Sequence, residues 1–311
     1  MRKRNACIKF LALWLALACL LSAADAALAD SLAKGAKGEA VRSLQERLTA
    51  LGYAPGKADG VYGNATYLAV LLFQSRNGLP MNGTAGESTL QTLYSNHAVG
   101  KTPGEAEKKP YVTEDGLPLL VNRDYPFPEG YVYYDLVVLN DYCDKSVVKI
   151  KNKNTLAERE AADALMKMLR AAKKEGIGRW QISEAFRTVE QQKKLLNSRI
   201  SKNVKSGMSK KKARSTALKT VAEPGLSEHH LGTCFDITVP GVSFAGTKQH
   251  QWLLKHCWDY GFILRYPPKK TKLTGFSAEA WHYRYVGVEH AKKMKKLNLC
   301  LGEYVTPEIR R

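Results

Sequence analysis

The chain has 311 residues, a formal net charge of +19, 44% apolar and 25% charged residues. That length holds two domains of ordinary size. Such a charge suits a polyanionic partner, but the N-terminal residues point out of the cell, which discounts nucleic acid.

The opening "MRKRNACIKF" is a positive n-region and "FLALWLALACLLSAA" an apolar h-region. Small residues around Ala24–Ala29 offer cleavage after Ala26 or Ala29, so residues 1–29 are expected to be a secretory signal peptide. An uncleaved membrane anchor and lipid attachment at Cys19 are the alternatives. The apolar run is short for a spanning helix, and Asp25 and Asp30 close it. No later stretch is apolar enough to span a bilayer, so the mature chain is expected to be exported to the cell envelope. Cleavage removes Arg2, Lys3, Arg4, Lys9 and Asp25 and leaves about +16. Anionic polymers of a bacterial wall are the expected counterpart of that charge. Cys143, Cys234, Cys257 and Cys300 remain, an even number that permits disulfides in an exported protein, although their spacings match no zinc finger. They read as structural or unpaired.

Residues 33–95 are expected to be a small three-helix bundle. Val41, Leu44, Leu48 and Leu51 repeat at helical spacing, with Gly52 as the stop. "GKADGVYGNAT" is a turn-rich loop in which Asn64 is expected to cap a second helix, "ATYLAVLLFQSRNG", and "ESTLQTLYS" is the third. "VRSLQERLTALGY", "ADGVYGNATYLAVLLFQSRNGL" and "NGTAGESTLQTL" resemble the peptidoglycan-binding domain found beside many cell-wall hydrolases. The resemblance implies a wall anchor without catalysis; a bundle that merely packs on its neighbour is the alternative.

Residues 96–118 are charged, proline- and glycine-bearing and poor in apolar residues, and are expected to be a linker. The second domain is expected over 119–301, with a tail at 302–311. "DLVVLNDYC", "VVKIKN", "RWQISEAFR" and "FILRYP" read as strands. "TLAEREAADALMKMLRAAKKEG" reads as an amphipathic helix capped by Thr155 with Glu158 three residues on. Strands and helices in irregular order, without a βαβ rhythm, predict an α+β domain. The basic run Arg199–Lys219 reads as a solvated surface insertion or as a surface that attracts polyanions.

Within "GLSEHHLGTCFDITV", the alternation of Cys234–Val239 places Phe235, Ile237 and Val239 on one face of a strand and Asp236 on the other. A carboxylate there is costly unless neutralised, and a bound cation is one way to do so. His229 lies six residues before Asp236, too far along a straight strand or a helix to share an ion with it. The chain must therefore turn, and Leu231-Gly232-Thr233 offers the place. His229 and His230 point apart in extended chain, so at most one is a ligand. "SAEAWHYRYVG" adds His282, three residues after Glu279. Two histidines and an aspartate leave a fourth position for water, the arrangement of a catalytic zinc site, with Glu279 as the candidate base. A plain His–Asp core contact and a surface Glu279 are the alternatives.

"SEAFRTVEQQ", "SEHHLGTCFDI", "YGFILRYP" and "TGFSAEAWHYRYVG", in that order, resemble the D-alanyl-D-alanine carboxypeptidases of the VanY type, zinc peptidases of bacterial walls. The likeness covers roughly residues 119–288. It implies an α+β zinc peptidase fold of the D,D-peptidase and Hedgehog kind and one Zn²⁺ held by His229, Asp236 and His282. It further implies Glu279 as general base, Arg187 on the substrate carboxylate or the oxyanion, and Ser227 and Gln192 against the peptide. The implied reaction releases the terminal D-alanine of peptidoglycan stem peptides; L,D-carboxypeptidase or endopeptidase activity, or wall binding without catalysis, are the alternatives. Three departures stand out: Ala280 in place of the usual proline, Phe186 in place of tyrosine, and Cys234 in place of alanine. Loss of the proline is expected to loosen a loop that holds Glu279.

Overall fold

The computed structural model describes residues 31–102, 104–105 and 108–306. The expected signal peptide, and residues 307–311 of the expected tail, lie outside the described residues. The described residues divide into two compact units, one ending at residue 105 and the other beginning at residue 108.

The first unit holds α1 (Glu39–Ala50), α2 (Asn64–Arg76) and α3 (Glu87–Tyr94). Val41, Leu44 and Leu48 of α1 are fully buried, as the helical spacing predicts. Gly52 ends the turn after α1 at φ 83°, and a Cβ there would stand 2.5 Å from the Lys101 carbonyl oxygen, so both conformation and space require glycine. Asn64 is not a cap: it is the first residue of α2, Gly63 precedes it, and no side chain caps that end. Two buried glutamines fasten the loops to the helices. Gln45 donates to Asp59 Oδ1, Val61 O and Thr66 Oγ1 and accepts from Gly60 N. Gln74 donates to Asn82 Oδ1, Thr84 O and Thr89 Oγ1 and accepts from Gly83 N. The two networks are residue-for-residue equivalents, so the bundle contains an internal repeat. Part of the expected linker belongs to this unit, because Tyr53 Oη donates to Val99 O and Lys101 N to Leu51 O.

The second unit is built on two sheets. β1 (Leu136–Val138) pairs antiparallel with β3 (Leu156–Glu158), while β2 (Val148–Ile150), β4 (Trp180–Glu184), β5 (Cys234–Thr238), β6 (Phe262–Tyr266) and β7 (Glu279–Tyr285) form a sheet in the order β2-β4-β5-β7-β6. Only β2 and β4 run parallel; the other pairs are antiparallel. One face packs on α4 (Arg159–Lys174), whose Ala161, Leu165, Met168 and Leu169 are fully buried beside Trp180, Ile182, Phe235 and Ile237. This is the expected α+β class. The helix starts later than expected: Leu156–Glu158 is strand, Glu158 is the residue before the helix, and Thr155 does not cap it. The segment after β1 is a single helical turn, Leu139–Tyr142, rather than more strand. Tyr111 of the expected linker belongs to this unit, its ring lying in the core and its Oη donating to Glu160 Oε2.

The basic run is helical. α5 (Val189–Lys205) opens on a capping box in which Thr188 Oγ1 accepts from Gln191 N and Gln191 Oε1 accepts from Thr188 N. α6 (Lys210–Ala217) packs back on it around Leu196, Ala217 and Val221. The lysines of the pair point outwards, from Lys193 through Lys212.

Glu158 is 3% exposed, its Oε1 has no hydrogen-bond partner, and burial together with Asp135 and Glu160 holds its carboxyl well above the usual range. A carboxyl whose folded pKa is raised contributes stability in full below the unfolded value of about 4.3, and loses it as pH rises. Glu158→Gln is therefore expected to raise the thermal midpoint at about pH 8, with the gain shrinking towards about pH 4 in pH-resolved melts.

Candidate metal centre

The sheet face opposite α4 carries the chemistry. β5 and β7 are neighbours in antiparallel register, and Asp236 stands directly across from His282. Residues so placed have Cβ atoms about 5 Å apart. Phe235 and Ile237, between them in the pleat, face the core, which leaves Cys234 and Asp236 on the site side. His229 arrives from the preceding 3₁₀ turn, Glu228–Leu231, which Ser227 caps by accepting from His229 N. Gly232 then reverses the chain at φ 72°, and a Cβ there would come within 3.3 Å of Glu158 N. The expected turn is present and requires glycine.

Three donor atoms meet. His229 Nε2 lies 3.6 Å from Asp236 Oδ1, and His282 Nδ1 lies 3.1 Å from the same oxygen. His229 Nδ1 bonds to the Ala185 carbonyl. A carbonyl only accepts, so Nδ1 carries the proton and Nε2 presents its lone pair to the centre. His230 is spent elsewhere: Nδ1 donates to Arg187 O and Nε2 accepts from Gly225 N. Burial would raise the Asp236 carboxyl, but His229, His282 and Arg187 outweigh it and hold the group at about 2. A carboxylate between two imidazoles, with one imidazole tautomer fixed by a carbonyl, fits a divalent cation.

Glu279 begins β7 and is 6% exposed, with Oε2 4.0 Å from His282 Nδ1. Burial pushes its carboxyl up to about 7, against the opposing pull of His282. It is held in paired strand, across from Tyr266 just past an irregularity in the register, so replacing proline with Ala280 leaves a strand rather than a loosened loop. Phe186 fills its place by packing its ring edge-on against Tyr133. Arg187 follows, its backbone N donating to His229 O and its buried Nε lacking a partner. Arg187, Gln192, Ser227, His229, Asp236, Glu279 and His282 all line one cavity of about 290 Å³. Gln192 is partly engaged: Nε2 donates to Ala222 O, and buried Oε1 is unpartnered.

Beneath the centre lies a feature that sequence reading did not find. Glu228, fully buried, takes an ion pair from Arg265 Nε at 2.9 Å and lies 3.4 Å from Arg284 Nη1. Burial would raise its carboxyl, yet Arg265, Arg284 and His282 bring it down to about 2. Its Oε2 and His282 Nε2 are both unpartnered and stand 3.9 Å apart. Once Nδ1 binds a cation, Nε2 carries the proton, and Glu228 is the acceptor facing it. The signal was the glutamate between Ser227 and His229, but its arginines are 37 and 56 residues further on. No disulfide braces the site: Cys143, Cys234, Cys257 and Cys300 are all free and buried.

Comparison with known proteins follows the same division. The D-alanyl-D-alanine carboxypeptidase family VanY matches residues 154–288, and a peptidoglycan binding domain family matches residues 37–93. A D-alanyl-D-alanine carboxypeptidase of Enterococcus faecalis is 34% identical over 61% of this chain and 66% of its own, just under two thirds. A Bacillus subtilis protein named "Putative carboxypeptidase YodJ" is 33% identical over 72% of this chain and 78% of its own. Among solved structures, VanYB in complex with D-alanine-D-alanine has a TM-score of 0.53 at 34% identity, covering 61% of this chain and 97% of that one. A mutant of the vancomycin resistance D,D-pentapeptidase VanY in complex with Zn(II) gives 0.52 at 34%, covering 60% and 97%. The LD-carboxypeptidase LdcB gives 0.51 at 31%, covering 65% and 97%.

Removing Glu228 leaves two buried guanidinium groups without their carboxylate. Glu228→Ala is expected to cost roughly 3–5 kcal/mol of stability by chemical denaturation, far beyond an exposed ion pair.

Proposed function

The chain belongs to the VanY family of D-alanyl-D-alanine carboxypeptidases, and from that membership we propose a zinc-dependent carboxypeptidase that trims peptidoglycan stem peptides. The observation that supports this most is the convergence of His229, Asp236, His282, Glu279 and Arg187 on one cavity. His229 Nε2, Asp236 Oδ1 and His282 Nδ1 would hold the ion. When bound, zinc supplies a Lewis acid for the scissile carbonyl and lowers the pKa of a water towards about 7.

The chain's own residues supply the rest. Glu279 takes the proton of the attacking water and returns it to the amine nitrogen as the C–N bond breaks. A carboxyl lifted towards neutrality by burial suits a group that must both accept and donate. Arg187, with a forked cation and an unpartnered buried Nε, pairs with the terminal carboxylate of the substrate and fixes which residue leaves. Ser227 shapes the turn that carries His229, and Gln192 offers its free Oε1 to a peptide N–H. The N-terminal bundle, residues 33–95, would hold the enzyme on the wall, and residues 1–29 would export it. Among the described residues no helix is long and apolar enough to cross a membrane.

Mass spectrometry of stem pentapeptide and tetrapeptide after incubation with the protein, with chelator and with restored zinc, tests the reading. Zinc-restorable loss of one D-alanine from the pentapeptide is expected. Cleavage of the tetrapeptide alone would move the assignment to the L,D specificity of the LdcB neighbour. Glu279→Ala is expected to keep one zinc per chain while turnover falls by about 10²–10⁴-fold; full activity in that variant would remove Glu279 from the mechanism.

A further inference from the structure

Cys234 lies on the site face of β5, two residues before Asp236, and is fully buried. Its Sγ and ligand nitrogens of His229 and His282 all lie within 4.8 Å of one another. Two donor sets therefore share the same pair of histidines, one completed by Asp236 Oδ1 and the other by Cys234 Sγ. His282, 3% exposed, has Nδ1 on Asp236 and its other nitrogen, Nε2, facing Glu228 Oε2 at 3.9 Å. The thiol has no disulfide partner to occupy it. Alanine at this position would offer no donor at all.

Resting on the proposed centre, we infer that Cys234 is an additional metal ligand, and that it selects for thiophilic divalent cations. Thiolate is the softest donor available to a protein, whereas the carboxylate of Asp236 is hard. Ligand atoms of His229, Cys234 and His282 meet within 4.8 Å, so a soft cation on that set takes a thiolate where the proposed zinc centre takes the Asp236 carboxylate. The same pocket then offers two donor sets on one pair of histidines, one completed by a hard oxygen and one by a soft sulfur. Soft cations such as cadmium settle on the thiolate set, which Cys234→Ala removes.

Cobalt(II) reports directly on sulfur. The metal-free protein is titrated with cobalt, and the absorption spectrum and cobalt per chain are read for wild type, Cys234→Ala and Cys234→Ser. One cobalt per chain with a thiolate-to-metal charge-transfer band in the near ultraviolet is expected for wild type. Both variants are expected to lose that band while keeping one cobalt and their ligand-field bands. One cobalt without the band in wild type, or a band that persists in Cys234→Ala, overturns the inference and leaves the His229–Asp236–His282 centre standing. No cobalt bound to wild type overturns both.

Discussion

A fully buried carboxylate, Glu228, sets the terms for this site. It sits between Arg265 and Arg284 and opposite the unpartnered Nε2 of His282. Two cations and one anion without water would be prohibitive if any member were missing, so the cluster ties β6 and β7 to the turn that precedes β5. That turn carries His229. Fixing Glu228 therefore fixes a neighbouring donor through the backbone and a second donor, His282, through its ring. Selection of the histidine tautomers then follows from fixed carbonyls and carboxylates rather than from chance rotamers.

The sheet divides these roles between its faces. One face meets α4 with alanine, leucine and methionine, and the alternation of β5 turns Asp236 away from it. Acidic and basic groups gather on the other face, where each has a partner or faces the cavity. Burial costs that would be ruinous singly become useful in combination: Asp236 stays ionised and ready for a cation, while Glu279, with less compensation, rises towards neutrality. Two carboxylates a few residues apart in space thus have different proton affinities because their neighbours differ.

Much of this was legible in the sequence. The turn at Gly232, the strand of Asp236 and the three-four spacing in α1 are local patterns, and each follows from a period or a single glycine. Local cues misled where tertiary contacts overrode them. Thr155 and Asn64 look like caps, yet strand pairing claims the residues after the first, and Gly63 already starts the helix before the second. Stretches 97–101 and 111–118 look like linker because they are polar, but Lys101 N pairs with the distant Leu51 carbonyl and Tyr111 reaches the core and Glu160 through its side chain. The arginine partners of Glu228 were out of reach because only the fold brings three widely spaced residues together. By contrast, the paired glutamine networks of the bundle were open to reading, since Gln45 and Gln74 precede parallel runs of glycine and threonine.

The proposed chemistry depends on one cation being held by His229, Asp236 and His282. Titrating the metal-free protein with zinc by calorimetry, in wild type and in Asp236→Ala, tests that most directly. One site per chain in wild type, lost or weakened by orders of magnitude in a variant that remains folded by circular dichroism, is the predicted result. Equal zinc binding by the two proteins would contradict it.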